Sequence, residues 1–296
     1  MPLELFPPPK KSAIERAAGI LLTADEAFIE KDWHVVQVLR ILNTLQNPNM
    51  QLAFGGGTSL AKAGLIKRFS EDIDFKATVQ PIGRKHYREA RRKIMATLVS
   101  QGLNLVAEPN ICDESRFFAL ELDYGATFTR NLRLRTHIRV EVRFVTPQLP
   151  VVFKPVQSLF GGVERVPAEI DAMPYVNPIE IAADKLSALA WRLLDPDERQ
   201  DKTLIRHVHD LAALEPLITS KVDFSSLVYR SISMDKSRCD IPPEQRLRTV
   251  MLNLQTSAWQ KAYQAFVQEI SFAPDDEQIS YAAAMDACER LIGLVD

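Results

Sequence analysis

The chain has 296 residues, of which 46% are hydrophobic and 25% charged. This is the composition of a folded protein of one large or two ordinary domains, and it excludes global disorder. A formal net charge of −2 excludes a generally basic protein, so any contact with a polyanion must come from local patches.

Residues 12–45 carry apolar side chains at helical spacing and predict two helices, the second ended by Asn47-Pro48-Asn49. A short strand over 51–54 runs into three glycines, and Thr58 caps a helix expected to reach about Ile66. The segment EDIDFKA, 71–77, alternates, with Ile73 and Phe75 on one face of a strand and Asp72 and Asp74 on the other. After Pro81 comes a basic helix, in which residues 84–93 include six Lys or Arg. Strands are expected at 103–108, 116–124, 136–144 and 148–154, followed by a turn at Gly161-Gly162. From Asn177 onward the pattern is helical. The predicted fold class is therefore α+β: a mixed β-sheet with flanking helices over 1–160, then an all-helical C-terminal domain over 161–296. The boundary between them is expected somewhere within 155–178, where Gly and Pro cluster.

Cys112, Cys239 and Cys288 lack metal-ligand spacing and read as reduced thiols of a cytoplasmic protein. The N-terminus MPLELFPPPKKS does not read as a signal peptide, and no run of about 18 apolar residues suggests a membrane span.

The stretch FGGGTSLAKAGLIKRFSEDIDF, 54–75, joins a glycine turn to a D-x-D strand. Glycine lets backbone approach phosphate oxygens, and a helix opening near Thr58 points free N–H groups at the same anion. Gly56, Gly57, Thr58 and Ser59 are thus the candidate triphosphate contacts. Asp72 and Asp74 emerge on one strand face, and paired hard oxygens suit Mg²⁺, with two ions in nucleotidyl transfer. In IRVEVRF the polar face holds Arg139, Glu141 and Arg143, making Glu141 the candidate third ligand. Either half of this pattern is common on solvated surfaces; the combination at this spacing is much less so.

These residues resemble the AbiEii/AbiGii group of nucleotidyltransferase toxins, which includes the MenT-like toxins. The group belongs to the DNA-polymerase-β-like nucleotidyltransferase superfamily, whose signature is a glycine turn followed by Dh[DE]h. FIEKDWHVVQVLRIL, 28–42, is similar to the family's E-K-D-[YW] helix. EIAADKLSALAWR, 180–192, is similar to its E-x-x-x-x-K-x-x-A-x-x-x-R helix through Glu180, Lys185, Ala188 and Arg192. RHVHDLAAL, 206–214, is similar to a further motif through Arg206, Asp210, Leu211 and Leu214. His207 stands where the family often has an acid, so no carboxylate role carries over to it.

The resemblance implies a Mg²⁺-dependent enzyme that moves a nucleoside monophosphate from an NTP to an acceptor, with the tRNA 3′ end as the expected one. It also implies a toxin–antitoxin or abortive-infection (phage-defence) setting, with a cognate antitoxin encoded nearby. Under it, Asp72, Asp74 and Glu141 bind metal, and Asp74 or Glu141 takes the acceptor proton. Lys185 and Arg192, seven apart on one helix face, meet the triphosphate. Without the resemblance those two cations read as an ordinary solvated face. Asp210 either orients Lys185 or Arg206, acts as a base, or closes a local network. The basic segment 84–93 and Arg130, Arg133, Arg135, Arg139 and Arg143 are expected to meet RNA phosphates. The rival readings are transfer of a nucleoside monophosphate to a protein hydroxyl, and a degenerate module that only binds nucleotide.

Overall fold

The apolar spacing of 12–45 folds as two helices, α1 (Lys11–Leu21) and α2 (Glu26–Asn43). Asp25 caps α2, its carboxylate accepting from the Phe28 N–H at 2.9 Å. The computed structural model describes residues 6–21, 25–128, 134–195, 197–218, 222–234 and 242–295; Arg130, Arg133 and Cys239 lie outside them. By compactness these divide into two units, Met1–Gly64 with Phe69–Val176, and Leu65–Arg68 with Asn177–Asp296.

The first unit is built on one mixed sheet. Its strands are β1 (Met50–Gly55), β2 (Ile73–Val79), β3 (Asn104–Leu105), β4 (Asn110–Cys112), β5 (Phe117–Asp123), β6 (His137–Arg143), β7 (Val152–Val156) and β8 (Ile170–Tyr175). The order is β3-β5-β6-β2-β1-β8-β7, with β4 also on β5. The β2–β6 and β1–β8 pairs are parallel, and the others are antiparallel. Alternation sends Ile73, Phe75, Ala77 and Val79 to one face, with Ile138, Val140 and Val142 beside them. That face packs on Val35, Val38, Leu39 and Leu42 of α2 and on Ala90, Ile94 and Leu98 of α4 (Arg84–Ser100). Each Val, Leu, Ile or Phe among them contributes about 1.5–3 kcal/mol when taken out of water.

Several local expectations differ from the structure. The strand expected at 103–108 shrinks to the two residues of β3. Gly161 and Gly162 sit inside a short helix, α5 (Leu159–Val163), because the Ser158 hydroxyl caps it by accepting from the Gly161 N–H at 2.9 Å. β8 was not expected, because Asp171 and Pro174 interrupt its alternation. It pairs with β1, so β7, α5 and β8 belong to the first unit, which ends at Val176: inside the expected range 155–178, though after 160/161.

The second unit is helical: α6 (Pro178–Arg192), α7 (Ile205–Leu214), α8 (Phe224–Met234), α9 (Pro243–Leu254), α10 (Ser257–Ile270) and α11 (Tyr281–Gly293). Asn177 caps α6 through the Ile179 N–H, with Pro178 in the first turn. Leu186 and Leu189 of α6, Val208 and Leu211 of α7 and Leu291 of α11 are fully buried. Cys112 is exposed and Cys288 buried, both as free thiols. Among the described residues, no helix is long and apolar enough to cross a membrane.

Candidate active site

Period-two alternation fixes which face a strand residue takes, and pairing fixes its neighbours. Asp74 on β2 stands opposite Gly55 of β1 on one side and Glu141 of β6 on the other. Strands lie about 4.8 Å apart, so the two carboxylates rise from adjacent rows of the face opposite α2. Asp72 lies just ahead of β2.

The glycine turn is shaped around Asp74. Gly56 has φ +69, and a Cβ there would lie 1.8 Å from Asp74 Oδ2 and 2.9 Å from Asp74 Cβ. Any other residue would push the carboxylate aside. Gly56, Gly57, Thr58 and Ser59 open a short helix, α3 (Gly56–Lys62), earlier than expected, and it stops at Ala63. The Thr58 hydroxyl donates to the Asp72 carbonyl at 2.5 Å and lies 3.0 Å from Ser70 Oγ. The Ser59 hydroxyl donates to the Gly56 carbonyl at 2.9 Å. Both side chains are buried, and their hydroxyls brace the turn against the strand that carries the aspartates.

Two of the carboxylates hold arginines. Asp72 Oδ1 accepts from Arg135, and Glu141 Oε1 accepts from Arg139 Nε at 2.7 Å. The carboxylates are 32% and 30% exposed, so each pair is worth at most about 1 kcal/mol, and an incoming cation can displace the arginine at little cost. Among the described residues, no three His, Cys, Asp or Glu side chains are already gathered as a metal cage. The donor set itself fits a hard divalent cation: carboxylate oxygens only, on one sheet face and in register.

Glu30, Lys31 and Asp32 belong to the E-K-D motif of α2, to which the sequence attached no role. They are 4%, 0% and 5% exposed and tie α2 to the chain at residues 62, 71, 127–128, 135 and 159. Glu30 accepts from the Thr127 and Phe128 N–H groups at 2.9 and 3.0 Å. Lys31 Nζ meets Glu71 Oε2 at 2.5 Å and the Arg135 carbonyl at 2.7 Å, so it holds the residue before Asp72 and the backbone of the arginine that pairs with Asp72. Burial lowers the Lys31 pKa, and Glu71 opposes that shift. Asp32 meets Lys62 Nζ at 2.5 Å and accepts from the Leu159 N–H at 2.6 Å. The signal that could have marked them is three consecutive charges inside an otherwise apolar helix.

The second unit gathers Lys185, Asp210 and Arg68, which opens the RFSEDIDF stretch and to which the sequence attached no role. Arg68 grips Asp210 with two bonds, Nε to Oδ1 at 2.7 Å and Nη2 to Oδ2 at 2.6 Å, and Lys185 Nζ lies 2.7 Å from Oδ2. Burial alone would raise the Asp210 pKa; Arg68 and Lys185 outweigh it and hold the carboxyl well below the usual range. His207 is kept neutral by burial and by Lys185, and its Nδ1 has no partner. Arg192 is committed to Glu198 at 2.8 Å and Asp201 at 2.7 Å.

The basic patches separate. On α4, Arg84, Lys85, Arg88, Arg92 and Lys93 are exposed while Ala90, Ile94 and Leu98 face the core, so this helix covers the α2 side of the sheet. Arg139 and Arg143 share the Glu141 side of β6, and Arg135 reaches Asp72.

A family model described as the nucleotidyl transferase AbiEii toxin of a type IV toxin–antitoxin system matches residues 38–287. The fold is similar to that of MenT4, nucleotidyltransferase toxin Rv2826c from Mycobacterium tuberculosis H37Rv, with a TM-score of 0.57. Identity is 17%, and the match covers 97% of this chain and 99% of that one, so the likeness bears on the fold alone. JHP933 from Helicobacter pylori matches with a TM-score of 0.34 at 15% identity, over 81% of this chain and 95% of that one, too weakly to carry an argument. No curated protein matches the chain.

Proposed function

This chain belongs to the AbiEii family of nucleotidyl transferase toxins of type IV toxin–antitoxin systems, and we propose that it transfers a nucleoside monophosphate from an NTP to an RNA acceptor, the 3′ end of tRNA. Membership brings an NTP substrate and an antitoxin partner. The observation that carries the transfer chemistry is the row Gly55, Asp74, Glu141 across three adjacent strands, with Gly56 shaped to Asp74.

In this reading the acceptor hydroxyl oxygen attacks the α-phosphorus. The bond from that phosphorus to the bridging oxygen breaks, and pyrophosphate leaves. Asp74 or Glu141 receives the hydroxyl proton. Asp72, Asp74 and Glu141 would hold Mg²⁺, which when bound supplies positive charge to the triphosphate and acidifies the acceptor hydroxyl. The turn Gly56, Gly57, Thr58 and Ser59 holds the triphosphate. Lys185 and Arg192 enter as further cations for it, with Asp210 positioning Lys185, as its 2.7 Å contact favours. The exposed arginines and lysines of α4, with Arg135, Arg139 and Arg143, support a polyanionic acceptor.

The test is an incorporation assay with the full chain, Mg²⁺, total tRNA and each α-labelled NTP, beside Asp74→Asn. Label on tRNA with the wild type alone supports the reading and names the base. Label on protein in a lysate, with none on tRNA, replaces the RNA acceptor with a protein one. Wild-type labelling by Asp74→Asn would sink the assigned site.

A further inference from the structure

The sheet face that carries Asp74 and Glu141 continues beyond them. Alternation puts Phe117 and Ala119 of β5, Arg143 of β6 and Lys76 of β2 on that face, because Phe118, Leu120, Val142 and Phe75 fill the core on the other. Pairing arranges these residues in rows. Ala119 stands opposite Glu141, and Glu141 beside Asp74 and Gly55. The next row, two residues along the strands and so about 6.5–7 Å away, is Phe117, Arg143, Lys76 and Ala53.

Phe117 is an apolar ring in a polar row. It is half-buried and stands outside the core that takes in Phe118. The Arg143 guanidinium lies over it, 5.5 Å from the ring centroid. That side chain is 32% exposed, and the Asp113 carboxylate comes only to 4.0 Å from it. A guanidinium plane beside an aromatic ring is a platform on which an unpaired base can stack. Lys76, next in the row, adds a second cation on the same face. Ala119 carries only a methyl group, so β5 puts no bulk between this platform and Glu141.

The order of the strands gives the platform a direction. The glycine turn follows β1, on the far side of the carboxylates from β5. In phosphoryl displacement the attacking and leaving oxygens stand roughly in line. With the triphosphate on the turn, the attacking hydroxyl comes from the β5–β6 side, where Phe117 and Arg143 are.

We propose that Phe117 and Arg143 stack the terminal base of the RNA acceptor, and that Lys76 meets the phosphate of that nucleotide. This rests on the RNA-transfer reading and adds to it the place where the last base is held. A base seated there lies one row from Glu141, with its ribose hydroxyl directed along the strands toward the carboxylates.

The test measures binding rather than transfer. A 5′-fluorescein RNA hexanucleotide ending in CCA, with a free 3′-hydroxyl, is titrated with the full chain by fluorescence anisotropy, without NTP or Mg²⁺. Wild type is expected to bind with Kd below about 100 µM. Phe117→Leu keeps apolar bulk and removes the ring. It should weaken binding roughly tenfold and leave the slope of log Kd against log salt unchanged. Arg143→Lys keeps the charge and loses the plane, and should act in the same way. Lys76→Gln should lower that slope by about 0.7, the share of one phosphate contact on a single strand. If Phe117→Leu does not fold, Arg143→Lys carries the same test. No binding by wild type, or wild-type affinity in either platform variant, would overturn the proposal. So would displacement of the hexanucleotide by an NTP, which would put the incoming base on Phe117. Labelling of tRNA without ring-dependent affinity would sink this proposal alone. Ring-dependent affinity without labelling would sink the transfer reading and keep the base platform.

Discussion

Replacing Gly56 with alanine perturbs the candidate site through one atom. At φ +69 an alanine incurs the left-handed backbone penalty, about 1–2 kcal/mol. Its Cβ would also sit 2.9 Å from Asp74 Cβ, as well as 1.8 Å from Oδ2. Rotating the aspartate side chain relieves the contact with Oδ2 but not the one with Cβ. Since carbon atoms rest about 3.5 Å apart, the Asp74 backbone must yield by roughly 0.6 Å even after rotation. A misplacement near 1 Å at a reacting group lowers the rate by roughly a hundredfold. Gly64 is the control: φ is +72, and nothing lies within 4 Å of the point where an alanine methyl would sit. Gly64→Ala should therefore lose about 1–2 kcal/mol in urea denaturation, and Gly56→Ala at least that much because of its added contact with Asp74. Only Gly56→Ala should lose about a hundredfold in labelled-nucleotide transfer. Equal activity of the two variants would refute the argument that the turn must be glycine to seat Asp74.

Asp210→Asn leaves Arg68 and Lys185 buried without their counter-charge and should destabilise the chain by about 3–5 kcal/mol in denaturant. Since the folded Asp210 carboxyl titrates well below its ordinary 3.8, its contribution is complete above that value. It is lost as pH falls through the folded-state pKa, so the variant should lack that part of the acid slope. His34, ordinarily 6.5 but about 4 when folded, takes up its proton first in the unfolded chain. Stability should fall by about 2 kcal/mol between pH 7 and pH 5 from this group, and His34→Gln should abolish that share of the slope. Arg139→Gln frees Glu141 from its ion pair and should tighten Mn²⁺ binding measured by calorimetry; unchanged affinity would show that the pair does not compete with the metal.

Much of the candidate site is legible in single strands, because side-chain alternation is a local property of the backbone. EDIDFKA alone puts Asp74 opposite Ile73 and Phe75, and IRVEVRF alone puts Glu141 opposite Val140 and Val142; the burial patterns of β2 and β6 follow that alternation. The helical rear and its Asn177-Pro178 start are likewise local signals. What alternation cannot state is which strand lies beside which. The parallel pairing of β2 with β6, the register that sets Asp74 against Glu141, and the insertion of β8 beside β1 join residues 67 to 121 positions apart. Only tertiary structure decides them, since they depend on how the whole core closes. The same holds for Lys31, whose Glu71 partner is 40 residues away, and for Arg68, which meets Asp210 across 142. It holds also for the basic helix α4, which follows the D-x-D strand in sequence yet covers the other face of the sheet, because Ala90, Ile94 and Leu98 must be buried against α2 and the strands.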